Sequence, residues 1–145
     1  MLNDFCMHPY GMLAKVMRGS HHMNPAIYFE IPVSDLDRAI LFYVDVFGYT
    51  FERHNVHGNE MAMFPFVNNG TGITGALVKG EIYIPSKSGV VIYLQTEDID
   101  ATLDRAVAKG AEILFPKTPA GDFGFVAEFS DSEGNRIALN ELPKK

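Results

Sequence analysis

The segment from residue 27 to residue 39 reads IYFEIPVSDLDRA, and it decides the fold. Its first seven residues are rich in β-branched and aromatic side chains, which predicts a strand. Ser34 followed three residues later by Asp37 resembles a short-armed capping box, so a helix is expected to begin there. Apolar residues then recur at three- and four-residue spacings up to Phe47, and Gly48 is typical of a helix end. The segment therefore predicts a strand followed by an amphipathic helix.

The same pattern occurs a second time. Asp98-Ile99-Asp100 repeats Asp35-Leu36-Asp37, each just after a strand-like run and at the start of a helical stripe. Each helix is followed by three more runs with the composition of strands, at 49–56, 60–67 and 73–79 and again at 112–115, 123–129 and 136–142. The predicted fold is α+β, with two tandem βαβββ modules at about 26–80 and 89–142. Their mixed sheets are expected to curl around a cleft, with the helices outside.

Composition excludes several classes of function. The chain has 145 residues and a net charge of −6, without a run of basic residues, so neither nucleic acid nor a membrane surface is an expected partner. No apolar stretch is long enough for a membrane span, and the expected location is cytoplasmic. The single cysteine, Cys6, excludes an intramolecular disulfide and zinc sites built from two or four cysteines.

Residues 17–23 read MRGSHHM and resemble the start of an expression tag. Residues 1–22 are therefore expected to be a tag-like or disordered extension, and residues 23–145 a single domain.

Several motifs together resemble the vicinal oxygen chelate superfamily, the group of glyoxalases, bleomycin-resistance proteins and extradiol dioxygenases. They are the helix motif at 32–39, the pairs at 42–43 and 47–48, and the turn and strand at 131–137. Within that superfamily the chain is most similar to the branch described as related to lactoylglutathione lyase. The resemblance implies the paired-module fold, a ligand cleft and a homodimer, but it does not specify a reaction.

Metal-dependent members of that superfamily bind a divalent ion through one side chain on the opening strand and one on the closing strand of each module. The resemblance places Tyr28, Val91 and Ala138 at three of these positions and either Gly75 or Ala76 at the fourth. Val91, Ala138 and either Gly75 or Ala76 have no side-chain oxygen or nitrogen, and Tyr28 offers only a phenol, so this set does not supply the several donors that hold such an ion with open coordination sites. No cofactor is therefore expected, and a divalent metal is the alternative.

Strand alternation, set by the family positions, predicts which side chains face the cleft. The expected ligand-binding residues are Tyr28, Tyr93, Gln95, Phe125, Arg136 and Asn140. Glu30 is the candidate catalytic residue, because a carboxylate beside aromatic side chains on an inward face is suited to general-base chemistry. In the alternative interpretation, Glu30 forms a structural ion pair with Arg136, while Tyr93 and Gln95 bind only backbone.

Three functions remain open on this sequence. The favoured one is a metal-free protein that encloses an apolar or aromatic small molecule. The second is an enzyme, either a lyase or isomerase with Glu30 as base or a metal enzyme with ligands moved to Glu30, His54 and Glu128. The third is a module with a closed cleft that binds a protein partner.

Overall fold

The computed structural model describes residues 5–7, 13–15 and 24–144. In chain order its elements are β1 (Phe5–Met7), β2 (Leu13–Lys15), β3 (Phe29–Pro32), α1 (Leu36–Phe47), β4 (Glu52–Val56), β5 (Asn59–Met63), β6 (Gly75–Lys79), β7 (Ile92–Gln95), α2 (Ile99–Ala108), β8 (Ile113–Pro119), a 3-10 turn (Gly121–Phe123), β9 (Phe125–Ser130) and β10 (Arg136–Glu141). The predicted βαβββ order is confirmed in both modules.

Each module folds into a mixed four-stranded sheet. The strand orders are β3-β6-β5-β4 and β7-β10-β9-β8, and in each sheet the first strand of the module pairs in parallel with the last. The remaining pairs are antiparallel. The two sheets are separate and do not close into a barrel. β1 and β2 pair only with each other, in a short antiparallel hairpin.

Helix α1 begins one residue later in the capping motif than the sequence predicts. The N-cap is Asp35, whose carboxylate accepts a hydrogen bond from the Arg38 backbone N–H at 3.0 Å. Ser34 does not cap the helix, and its own N–H donates to the distant Glu133 side chain. The predicted end is confirmed: Gly48 has a φ of 76° and donates its N–H to the carbonyl of Val44.

One apolar core joins the two modules. Tyr43 and Val46 on α1 are fully buried, as are Ile99 on α2 and Phe129 on β9. The Phe42 ring on α1 lies 6.0 Å from the Phe129 ring, so the first helix packs against a strand of the second sheet. The helices thus cover one face of each sheet and leave the opposite faces available.

A carboxylate in the β9–β10 turn fastens the second module to the first. Glu133 Oε1 accepts hydrogen bonds from the backbone N–H groups of Ser34 and Asp35 at 2.9 and 2.8 Å, and Arg38 donates to both of its oxygens. The Glu133 side chain has no solvent exposure. Burial alone would raise the pKa of Glu133, but these donors outweigh it and lower the pKa to about 2.

Several strand boundaries differ from the sequence prediction. β4 begins at Glu52 rather than at residue 49, because Tyr49 and Phe51 pack against the core before the strand starts. β8 continues to Pro119 rather than ending at residue 115, and its pairing with β9 contains register shifts. Strands β1 and β2 were not predicted. The proposed boundary between residues 22 and 23 lies outside the described residues.

Candidate functional site

Strand register identifies the sheet faces that the helices leave uncovered. On β3 the core residues are Phe29 and Ile31, so Glu30 lies on the opposite face, where it is exposed. On β7 Leu94 is in the core, so Tyr93 and Gln95 lie on the opposite face. The predicted orientation of these three side chains agrees with the register.

A groove of about 540 Å³ lies between the two modules, and we call it the central groove. One wall is the edge strand β7 with Asn140 of β10, and it contributes Tyr93 and Gln95. The other wall consists of residues from the first module, namely Phe29, Tyr49, Phe64, Pro65, Val67 and 71–74. The groove thus combines an apolar wall with a few polar side chains, as small-molecule sites usually do.

Asn140 holds one end of the central groove in place. It is 6% exposed, and its side-chain amide donates to the carbonyls of Phe123 and Phe125 at 2.7 and 3.3 Å. Phe123, which lines the groove, meets the Tyr93 ring edge to face with 6.4 Å between ring centres. The Asn140 amide therefore positions a segment that lines the groove.

Phe125 does not line the central groove. It is 36% exposed at the start of β9, and the Lys117 ammonium lies 4.7 Å from its ring centre. This geometry is that of a cation–π contact at the surface.

Two phenols hold the Glu30 carboxylate. Tyr28 donates a hydrogen bond to Oε2 at 3.1 Å, and Tyr83, from the connection between the modules, donates to Oε1 at 2.9 Å. Burial and the Glu30 carboxylate raise the pKa of Tyr28 to about 12. The hydrogen bond to Glu30 raises the pKa of Tyr83. Both phenols therefore remain neutral donors at physiological pH.

Glu30 also lines a smaller cavity of about 170 Å³, which we call the Glu30 pocket. Arg136 is the other charged residue in its lining, beside apolar residues that include Ile84, Val90 and Ile92. Ile92 lines the central groove as well, so the two linings share this residue.

The alternative ion pair between Glu30 and Arg136 is not formed. Arg136 instead pairs with Glu128 on the neighbouring strand and donates its Nε–H to the Lys87 carbonyl at 3.2 Å. Glu128 lies opposite Ala138 in the sheet, which brings its carboxylate within reach of the diagonal neighbour Arg136. This contact also places Glu128 on the uncovered face, which the sequence left open.

The four positions that correspond to metal ligands do not suit a metal. In the second module Ala138 lies opposite Tyr93 in the sheet. The residue equivalent to Tyr93 in the first module is Glu30, and Ala76 lies opposite it. The register therefore selects Ala76 rather than Gly75 as the counterpart of Ala138. Both alanines are fully buried and present only methyl groups, so we derive no chemistry through a metal.

The structure does not bring the alternative metal ligands together. His54 lies on β4, where its Nε2 is 3.2 Å from Oε1 of Glu52, and both side chains are exposed. Glu128 is engaged by Arg136 in the other sheet. Within residues 5–7, 13–15 and 24–144, no three His, Cys, Asp or Glu side chains cluster in a way that suits a metal.

Comparison with known proteins identifies the family. The model of the Glyoxalase/Bleomycin resistance protein/Dioxygenase superfamily matches residues 21–139. The chain belongs to this superfamily. A glyoxylase-like domain-containing protein of Didymella fabae is 31% identical over 125 residues, which are 80% of this chain and 92% of the relative.

Solved structures of the superfamily include both binding proteins and enzymes. TnmS3, an antibiotic binding protein from Streptomyces sp. CB03234, is 25% identical, with a TM-score of 0.57 over 84% of this chain and 98% of its own. A glyoxalase I mutant from Zea mays shares the fold at 19% identity, with a TM-score of 0.60 over 81% of this chain. The chain spans about half the length of that enzyme, 46%.

Sequence reasoning missed Tyr83 and gave Phe123 the wrong local structure. Tyr83 lies in the connection between the modules, and its contact with Glu30 spans 53 residues of sequence, so no local pattern indicates it. Phe123 was assigned to a strand, but it ends the 3-10 turn and its carbonyl is held by Asn140. The sequence Ala-Gly-Asp before Phe123 is typical of a turn and was a usable signal.

Proposed function

We propose that this protein binds an apolar or aromatic small molecule in the central groove, without a metal. The observation that carries the proposal is the groove itself, which combines aromatic walls with the amides of Gln95 and Asn140. The methyl groups at the positions equivalent to metal ligands support it. The similarity to the antibiotic binding protein TnmS3 gives further support.

Residue-resolved NMR with the neutral aromatic probe 1-naphthylmethanol tests this proposal. We expect saturable shift changes at the backbone amides of Tyr93 and Gln95. Tyr93→Ala removes an aromatic wall and is expected to weaken binding by about fivefold or more. Leu41→Ala is the matched control, because Leu41 is 60% exposed on α1 and does not line the groove. Equal weakening by both variants would contradict the proposal.

The second candidate is a lyase or isomerase that uses Glu30 as general base. The exposed Glu30 carboxylate in a pocket, next to two phenols, favours this function. Turnover of the hemithioacetal of methylglyoxal and glutathione, lost in Glu30→Gln, would establish it. Absence of turnover together with binding of the naphthyl probe would favour the first function.

Three further expectations concern the whole protein. We propose a homodimer, and the exposed apolar residue Ile82, in the connection between the modules, is available for such an interface. Neither helix in the described segments has the length and apolar character that crossing a bilayer requires. The cytoplasmic location and the domain start at residue 23 stay predictions; fractionation of cells and intact-mass measurement of the native protein test them.

A further inference from the structure

We propose that the Glu30 pocket binds the protonated amine of a small organic molecule. The inference rests on the proposed small-molecule binding and adds the charge that the ligand carries. Three features support it: an uncompensated carboxylate in the pocket lining, vacant acceptor sites on its two oxygens and an apolar surround.

The carboxylate of Glu30 has no cationic partner in the described part of the chain. Its two oxygens accept hydrogen bonds from neutral phenols, and no ion pair within residues 24–144 includes it. Among the described residues of the pocket lining, Arg136 is the one cation, and its charge is compensated by Glu128. The pocket therefore presents one net negative charge, which favours a cation over an anion.

The oxygens around Glu30 match the hydrogen-bonding needs of an ammonium group. An alkylammonium ion has up to three N–H donors and no acceptor, and a carboxylate accepts about four hydrogen bonds through its two oxygens. Tyr28 and Tyr83 each occupy one of these acceptor sites, which leaves others for a ligand.

The remaining lining is suited to the carbon skeleton of an amine. Ile84 and Val90 line the pocket and are 71% and 90% exposed, so an organic group beside the ammonium would cover apolar surface. A volume of about 170 Å³ is below that of a complete drug-sized site, so the pocket holds one end of a ligand.

Benzylammonium and its neutral analogue benzyl alcohol provide the test, in NMR titrations that follow the amides of Glu30 and Tyr83. The full chain is expected to bind benzylammonium about threefold to tenfold more tightly than benzyl alcohol. Glu30→Gln is expected to remove this preference, so that the two probes bind with similar affinity. Tyr83→Phe, which keeps the carboxylate, is expected to reduce the preference only in part.

The matched control is Asp104→Asn, which removes one negative charge on α2 outside the pocket lining and should preserve the preference. Equal affinity for both probes in the unmodified chain would overturn the inference, as would an unchanged preference in Glu30→Gln. The titration of the central groove with 1-naphthylmethanol is independent of Glu30. Naphthyl binding without amine preference refutes the inference alone, whereas failure of every probe refutes the proposed function and the inference together.

Discussion

Replacement of Glu133 by Gln should loosen the attachment between the modules. The fall in the pKa of Glu133 from 4.5 to about 2 corresponds to about 3 kcal/mol of folding free energy at neutral pH, since one pKa unit is worth about 1.4 kcal/mol. The Arg38 side chain is 54% exposed, so solvent screening reduces this figure. We expect Glu133→Gln to lower the free energy of unfolding by about 2 kcal/mol at pH 7.

The pH dependence of this loss separates the charge of Glu133 from its shape. The folded pKa lies below the unfolded one, so the carboxylate contributes its full stabilisation above about pH 5 and loses it as the pH falls towards 2. The difference in the free energy of unfolding between the unmodified chain and Glu133→Gln should therefore become smaller over this pH range. Burial raises the pKa of the nearby Asp131, so this carboxylate changes stability with pH in the opposite direction. Both proteins contain Asp131, so its contribution to the difference between them cancels to first order.

Urea unfolding followed by far-UV circular dichroism at pH 7, 5, 4 and 3 measures this difference. Asp37→Asn is the control, because Asp37 pairs with Arg53 in full contact with solvent and should change stability little. A loss that is the same at pH 3 and pH 7 would refute the electrostatic argument. A Glu133→Gln protein as stable as the unmodified chain would refute the role of this carboxylate altogether.

Two other substitutions test the packing that supports the site. Gly124→Ala should lower the free energy of unfolding by at least about 1 kcal/mol more than Gly134→Ala in the same urea assay. Both glycines have positive φ. A Cβ on Gly124 would lie 2.0 Å from the carbonyl oxygen of Glu141, whereas a Cβ on Gly134 meets nothing within 4 Å. Equal losses would contradict this close approach. Tyr43→Phe should lower the free energy of unfolding by about 1–3 kcal/mol, because the buried Tyr43 hydroxyl donates a hydrogen bond to Asp131 at 2.8 Å. An unchanged unfolding midpoint would contradict that role.

The parts of the fold that sequence predicts well depend on local patterns. The stripe from Leu36 to Phe47 and the terminal Gly48 determined α1 correctly, because spacing and backbone conformation act within a few residues. The N-cap was predicted one residue too early, because Asp35 rather than Ser34 caps the helix. The contacts of Glu133 with the N–H groups of Ser34 and Asp35 span almost one hundred residues, and local rules cannot anticipate them.

The same distinction applies to the candidate site. Alternation along β3 and β7 correctly oriented Glu30, Tyr93 and Gln95, since a strand has a fixed period of two. The alternative interpretation, in which Glu30 pairs with Arg136, was wrong, because whether Tyr83 reaches Glu30 depends on the path of the connection between the modules. Which of these side chains contact a ligand stays a prediction.

One titration tests the central claim of metal-independent binding most directly. It measures the binding of 1-naphthylmethanol to chelator-treated protein, before and after addition of Zn²⁺, Mn²⁺ or Ni²⁺. Saturable shift changes at Tyr93 and Gln95 with the same midpoint in every sample are the expected result, because the positions equivalent to metal ligands carry the methyl groups of Ala76 and Ala138. Binding that appears only after a divalent ion is added, or that leaves the central groove unperturbed, would contradict the claim.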